Sequence, residues 1–285
     1  MSSIWTIARL TLRECVRRRV FLVVPIASIG FLALYALGNH YAFQSVRGRA
    51  NVGGGFVDAQ VLAGATLVGL SMFVTLFLTS ALAIFLTFST IRGDAEQGLL
   101  QPVVVRPVAR SGLLIGRFVG TSLVTAAYAT FLYAAAVTIT WVIGDWHPAP
   151  LLPSGLAVVL GVEVVIALSL LGSSIANALP NGIAMFMVYG AGLLAGLLAQ
   201  LGQALSSPSL ETTGRVASWA LPFEALYQAG LYNLTSSTRG VTRVIVQLGP
   251  LGGAATGGWG LVAWSVGYIA LVGAVAVAVF SRRDL

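Results

Sequence analysis

Few side chains in this sequence could do chemistry, and their types narrow the choice early. All 16 basic residues are arginine, and lysine is absent. A Walker-type phosphate loop needs a lysine to reach the β- and γ-phosphates, so no such ATP site is expected in this chain. Schiff-base and Ser–Lys catalysis fall for the same reason. Cys15 is the only cysteine, and His40 and His147 are the only histidines. That excludes an intrachain disulfide, a cysteine cluster and a HExxH zinc site. The sequence therefore offers no catalytic residue, no metal ligand set and no bound cofactor. What remains is charge of two kinds. Asp94, Glu96, Arg106 and Arg110 gather in one short segment, which by charge alone reads as a solvated loop beside the membrane whose arginines set topology. Glu163 stands alone inside an apolar stretch, where a carboxylate is costly and functional by default.

The elements that position these residues follow from composition. The chain has 285 residues, 57% hydrophobic and 9% charged, with a mean hydropathy of +0.90. Soluble domains carry about 25% charged residues. The fold class is thus an all-α integral membrane protein, and a soluble enzyme, a disordered chain or a collagen-like fibre is excluded. A helix needs about 20 apolar residues to cross a bilayer. Six stretches qualify, at residues 20–37, 61–88, 118–143, 156–178, 182–201 and 259–280, within one transmembrane domain spanning 1–285. Alternation of the kind found in membrane β-barrels is absent.

Arginine placement sets an orientation. With both termini in the cytoplasm, the inner segments hold eleven arginines and the outer segments five, as the positive-inside rule requires. The expected location is the inner (cytoplasmic) membrane. The net charge of +7 is then spent near lipid headgroups, and no nucleic-acid partner is expected. A cleaved signal peptide fits poorly, because the first apolar run is long and a basic helix precedes it. Residues 1–19 read as an amphipathic helix, with Arg9, Arg13 and Arg17 on one face. Such a helix lies in the interface. Anchoring and partner contact stand as equal readings of it.

The segment 91–117 is the most informative. It runs Arg92-Gly-Asp94-Ala-Glu96-Gln-Gly98, then through Pro102 to Arg106-Pro107-Val-Ala-Arg110, then to Gly116-Arg117. Glycine and proline at these points favour short helices joined by fixed turns. Here the chain resembles the membrane subunits of ABC-2 type ATP-binding-cassette exporters. Their first cytoplasmic loop reads acidic-x-Glu-x-Gly-Thr-Leu, an apolar run, Pro-Val-Ser-Arg, then Leu-x-Gly-Lys/Arg. Asp94, Glu96, Gly98, Leu100, Pro107, Val108, Arg110, Leu114, Gly116 and Arg117 match at that spacing, with mild departures at 94, 99 and 109. The arginine-rich start, the six spans and the closing Phe280-Ser-Arg-Arg-Asp-Leu285 extend the likeness. Within the family the chain is similar to the branch that includes the nitrous-oxide-reductase maturation permease.

The resemblance implies a separate ABC ATPase subunit, which carries the ATP and Mg²⁺ and docks on the elbow helix and this loop. It implies that Asp94, Glu96, Gly98, Arg106, Pro107 and Arg110 form the coupling site, and that the turn at Asn177–Asn181 is a second, minor contact. A second permease copy or a paralogue is expected to complete a path, as is surrounding lipid.

Residues 202–258 are mixed. Val216 to Leu234 is mostly apolar but is broken by Pro222 and Glu224. A pair of short re-entrant helices suits it better than a seventh span; an outer gate and a merely packed hairpin are equal readings. Glu163 reads as a turn or two inside the outer boundary of its span, either facing a pathway or wetted at the boundary. Gly192 and Gly196 form a GxxxG pair, serving intrachain packing or a subunit interface. Alternative functions are a mechanical relay that moves no solute, an ATPase-independent secondary carrier or channel, and an intramembrane enzyme. Sparse charge within the spans and the lack of an internal repeat weigh against the carrier. The missing catalytic constellations weigh against the enzyme.

Overall fold

The computed structural model describes residues 9–11, 20–46, 59–88, 110–146, 151–235 and 257–282. Among these, every regular element is an α-helix: α1 (Val20–Val46), α2 (Ala59–Thr87), α3 (Arg110–Gly144), α4 (Leu151–Ile175), α5 (Ala178–Ala204), α6 (Pro208–Ala220), α7 (Pro222–Thr235) and α8 (Trp259–Ser281). Six of them, all but α6 and α7, are long and apolar enough to cross a membrane. A bilayer core offers backbone groups no partner, so a long apolar run must satisfy its N–H and C=O groups internally as a helix.

Local chemistry explains several ends. Pro153, Pro180, Pro208 and Pro222 all fall in the first turn of α4, α5, α6 and α7, where a missing N–H costs nothing. Helices α3 and α5 stop at Asp145 (φ 50°) and Ser206 (φ 52°), left-handed residues that turn the chain out of the helix. Two bounds differ most from the sequence reading. Arg110–Arg117, counted with the loop, forms the first two turns of α3. Helix α1 runs on to Val46, past the end of its strongly apolar stretch.

Helix α4 is the centre of the bundle, packed by α2, α3, α5, α7 and α8. Small residues let its neighbours approach. A Cβ on Gly161 would sit 3.3 Å from the Phe223 carbonyl oxygen, and one on Gly155 would sit 3.1 Å from the Tyr133 ring. Val68, Met72 and Leu76 of α2 close with Val158, Val162 and Ile166 of α4 and Leu231 and Leu234 of α7 into one buried cluster. Helix α1 touches α2 and α3 and is otherwise peripheral. The Ser28 and Tyr128 hydroxyls, and those of Tyr35 and Thr140 (2.6 Å), tie it to α3.

Candidate functional site

Asp94, Glu96, Gly98, Arg106 and Pro107 lie outside the described residues, as do Arg13 and Arg17 of the elbow. Arg9 is exposed in a short helical stretch, and Arg110 opens α3. The structure does show what anchors the two ends of 89–109. Asn181, in the first turn of α5 and 1% exposed, donates from Nδ2 to the carbonyl of Phe88 (3.2 Å) and to that of Ser169 in α4 (3.1 Å). Phe88 is the residue at which α2 hands over to the segment. The Thr87 hydroxyl donates to Ser169 Oγ at 2.7 Å. Gly172 makes the room: a Cβ there would lie 2.1 Å from Asn181 Oδ1. One amide thus fastens α2, α4 and α5 together at the threshold of the segment. Sequence reading saw only a tight turn at Asn181, because neither acceptor is near it along the chain. On the other side of the segment, Leu114 of α3 packs with Ala276 and Phe280 of α8.

At the opposite end of the bundle, α6 runs antiparallel to α5 at very close range. A Cβ on Gly202 would be 2.4 Å from the Glu211 nitrogen, and one on Gly214 would be 2.5 Å from the Ala199 nitrogen. The chain turns at Leu221 and α7 returns among α2, α4 and α5, with Gly230 beside Met72 and the Ser154 carbonyl. The tip of this hairpin reaches Gly161, ten residues into α4, or about 15 Å along it. Pro222 is the first residue of α7. Phe223 stacks on Tyr189 of α5 (5.2 Å), and the Trp264 indole of α8 donates to the Trp219 carbonyl (3.1 Å). The GxxxG pair of α5 serves this hairpin: a Cβ on Gly192 would meet the Phe223 ring at 2.2 Å, and one on Gly196 would meet Glu224 Oε1 at 2.3 Å. In this chain the motif packs within the subunit.

Glu224 is 4% exposed. Its Oε1 accepts from Gln228 Nε2 at 3.3 Å, and its Oε2 is buried with no hydrogen-bond partner. The hydroxyl of Tyr189 and that of Ser80 beside it are likewise buried short of hydrogen-bonding geometry. Burial pushes the Glu224 carboxyl above the ordinary carboxylate range, and the Gln228 amide offsets only part of this.

Glu163 requires a correction. Helix α4 begins at Leu151, five residues before the apolar stretch assigned from sequence, so Glu163 lies at the middle of 25 residues and not near a boundary. It is half-buried, and Ser122 of α3 donates to its Oε2. Glu163 and Glu224 are on different seams: Gly161 faces the hairpin, and a residue two positions on points the other way around a helix. An apolar groove of about 570 Å³ runs between α3 and α4, lined by Tyr133, Val137, Trp141, Leu152, Leu156 and Val159 among others.

The model of the ABC-2 family transporter proteins matches residues 5–285. The chain belongs to the ABC-2 transporter family. Two similar proteins are each named as a probable ABC transporter permease protein NosY. The one from Stutzerimonas stutzeri is 29% identical and the one from Pseudomonas aeruginosa 30% identical, each over 126 residues. The matched stretch covers 44% of this chain and 41% of each relative. Six apolar helices and the family together make this a multi-pass membrane protein of the ABC-2 transporter family.

Proposed function

We propose that this permease couples ATP hydrolysis on a separate nucleotide-binding subunit to export or to a transmembrane conformational change. The ATPase docks on the segment holding Asp94, Glu96, Gly98, Arg106, Pro107 and Arg110 and on the elbow face of Arg9, Arg13 and Arg17, from the cytoplasm. ATP and Mg²⁺ stay on that subunit. A bound nucleotide shifts an equilibrium only through contacts that differ between two states, so the docking segment needs firm connections to the helices that move. The Asn181 clamp supports this reading most directly: it fastens three helices at the point where 89–109 departs. The hairpin α6–α7 sits at the far end and acts as an outer re-entrant gate, with Pro222 at its turn and Glu224 in its seat. A second permease copy or a paralogue completes the path, lipid covers the outward apolar faces, and both termini are cytoplasmic.

The test is co-purification in mild detergent. The unmodified chain brings down an ABC ATPase. Asp94→Arg with Glu96→Arg inserts normally and loses it. Retention of the ATPase by the double variant, or normal operation of the chain in cells lacking any such ATPase, favours the ATPase-independent carrier instead.

A further inference from the structure

We propose that Glu224 is a proton-binding site: the seated hairpin holds this carboxyl as the neutral acid, and loss of its proton to water unseats α7. The inference rests on the gate reading only for what unseating achieves. The proton site itself stands on the packing.

Among the described residues the packing leaves no counter-ion. The titratable and charged groups of every element against α7 are few. Helix α2 has none. Helix α4 has Glu163, which is engaged with Ser122 on another seam. Helix α5 has only Tyr189, and α8 only Tyr268. Helix α6 has Glu211 and Arg215, which pair with each other at 2.5 Å where both are solvent-accessible. Helix α7 adds Tyr227 and Tyr232. Tyr189 and Tyr227 are close enough to feel a charge on Glu224, and neither is a cation. A buried carboxylate without a cation is far costlier than the neutral acid.

The packing also leaves no room. Gly196 is where a side chain would collide with Oε1, and Gln228 Nε2 lies within 2.9 Å of the same point. A metal ion or an organic cation does not fit beside Oε1 on that side without moving α5 from α7. A proton does, and it converts Oε2 from an unpaired acceptor into a donor. The reaction is a simple dissociation: the O–H bond breaks, the electron pair stays on the carboxylate and the proton passes to water. Unseating hydrates that carboxylate, and uptake of a proton from water restores the neutral acid on which α7 reseats.

The experiment uses the full chain in liposomes, carrying Cys15→Ser and Ala225→Cys, and a membrane-impermeant maleimide. Ala225 neighbours Glu224 and is 9% exposed. Labelling, corrected for the maleimide's own pH dependence on a cysteine at exposed Val216, should rise several-fold from mildly acid to mildly alkaline pH. In Glu224→Gln it should stay low and flat. A flat profile in the parent, or the same rise in Glu224→Gln, overturns the proposal. Should Glu224→Gln not fold, infrared spectroscopy of the parent decides. A carboxylic-acid carbonyl band at neutral pH that survives Glu163→Gln is expected, and its absence there overturns the proposal. Labelling that follows pH but ignores an added ATPase and ATP sustains the proton site and fails the gate.

Discussion

Helices α7 and α8 invert the usual relation between polarity and burial. Helix α7 is short and carries Glu224, Gln228 and two tyrosines, yet it is almost entirely enclosed. Helix α8 is continuously apolar, yet most of its surface faces outward, with Trp259, Val266 and Leu271 each more than half exposed. In water this arrangement would be unstable. In lipid it follows from the solvent: hydrocarbon tails are as apolar as leucine, so apolarity draws a helix nowhere, and polar groups and small residues decide what lies inside. The glycines make the same point. Gly192 and Gly196 are pressed against the hairpin, whereas Gly260, Gly267 and Gly273 of α8 have open space where a Cβ would be.

Substitutions can break this contrast. Gly196→Leu drives a branched side chain into Glu224 and Gln228 and should cost about 3 kcal/mol or more, seen as a large fall in thermal unfolding temperature in detergent. An unchanged temperature would mean that α7 is not held against α5. Asn181→Ala removes the donor to two carbonyls on different helices and should cost about 2 kcal/mol, read in the same way; the lost hydrogen bonds rather than lost volume would be confirmed by partial recovery in Asn181→Gln. Trp264→Phe deletes one indole hydrogen bond at a half-exposed position, for a loss of about 1 kcal/mol in the same unfolding measurement. Gly267→Ala is the converse case: on an open helical face it should stabilise by about 0.5 kcal/mol, and a marked loss would show that α8 is covered by another subunit there. Acidity adds one further difference. A carboxyl whose folded value is raised favours the fold at low pH and loses that contribution as pH climbs from the ordinary carboxylate range through the raised value. The unfolding temperature of the parent should therefore fall with rising pH more than that of Glu224→Gln.

The membrane class and the six helices were legible because their signal is compositional and continuous: a run of about 20 apolar residues needs no tertiary information. Pro222 and Glu224 also showed through as a break in such a run, and two short helices occupy that region. Other features were hidden by sequence distance. Ser169 and Phe88 gave no sign of Asn181, and Ser122 gave none of Glu163, because each pair joins different helices. The GxxxG spacing announced close packing but not against what. A glycine pair records the absence of side chains, and the partner, here Phe223 and Glu224, is chosen by topology. The depth of Glu163 was misjudged because the start of α4 rests on Leu151, Leu152 and Pro153, whose role as a first helical turn becomes visible only in three dimensions.

The double grip of Asn181 has a mechanical corollary. A lever attached to one rod can slide it past its fellows; a lever attached where three rods are riveted cannot. Any tug on the polypeptide at Phe88 is shared at once with α4 and α5, so the simplest motion open to the trio is a tilt about the rivet, small at that end and amplified toward Gly196 and the hairpin it carries.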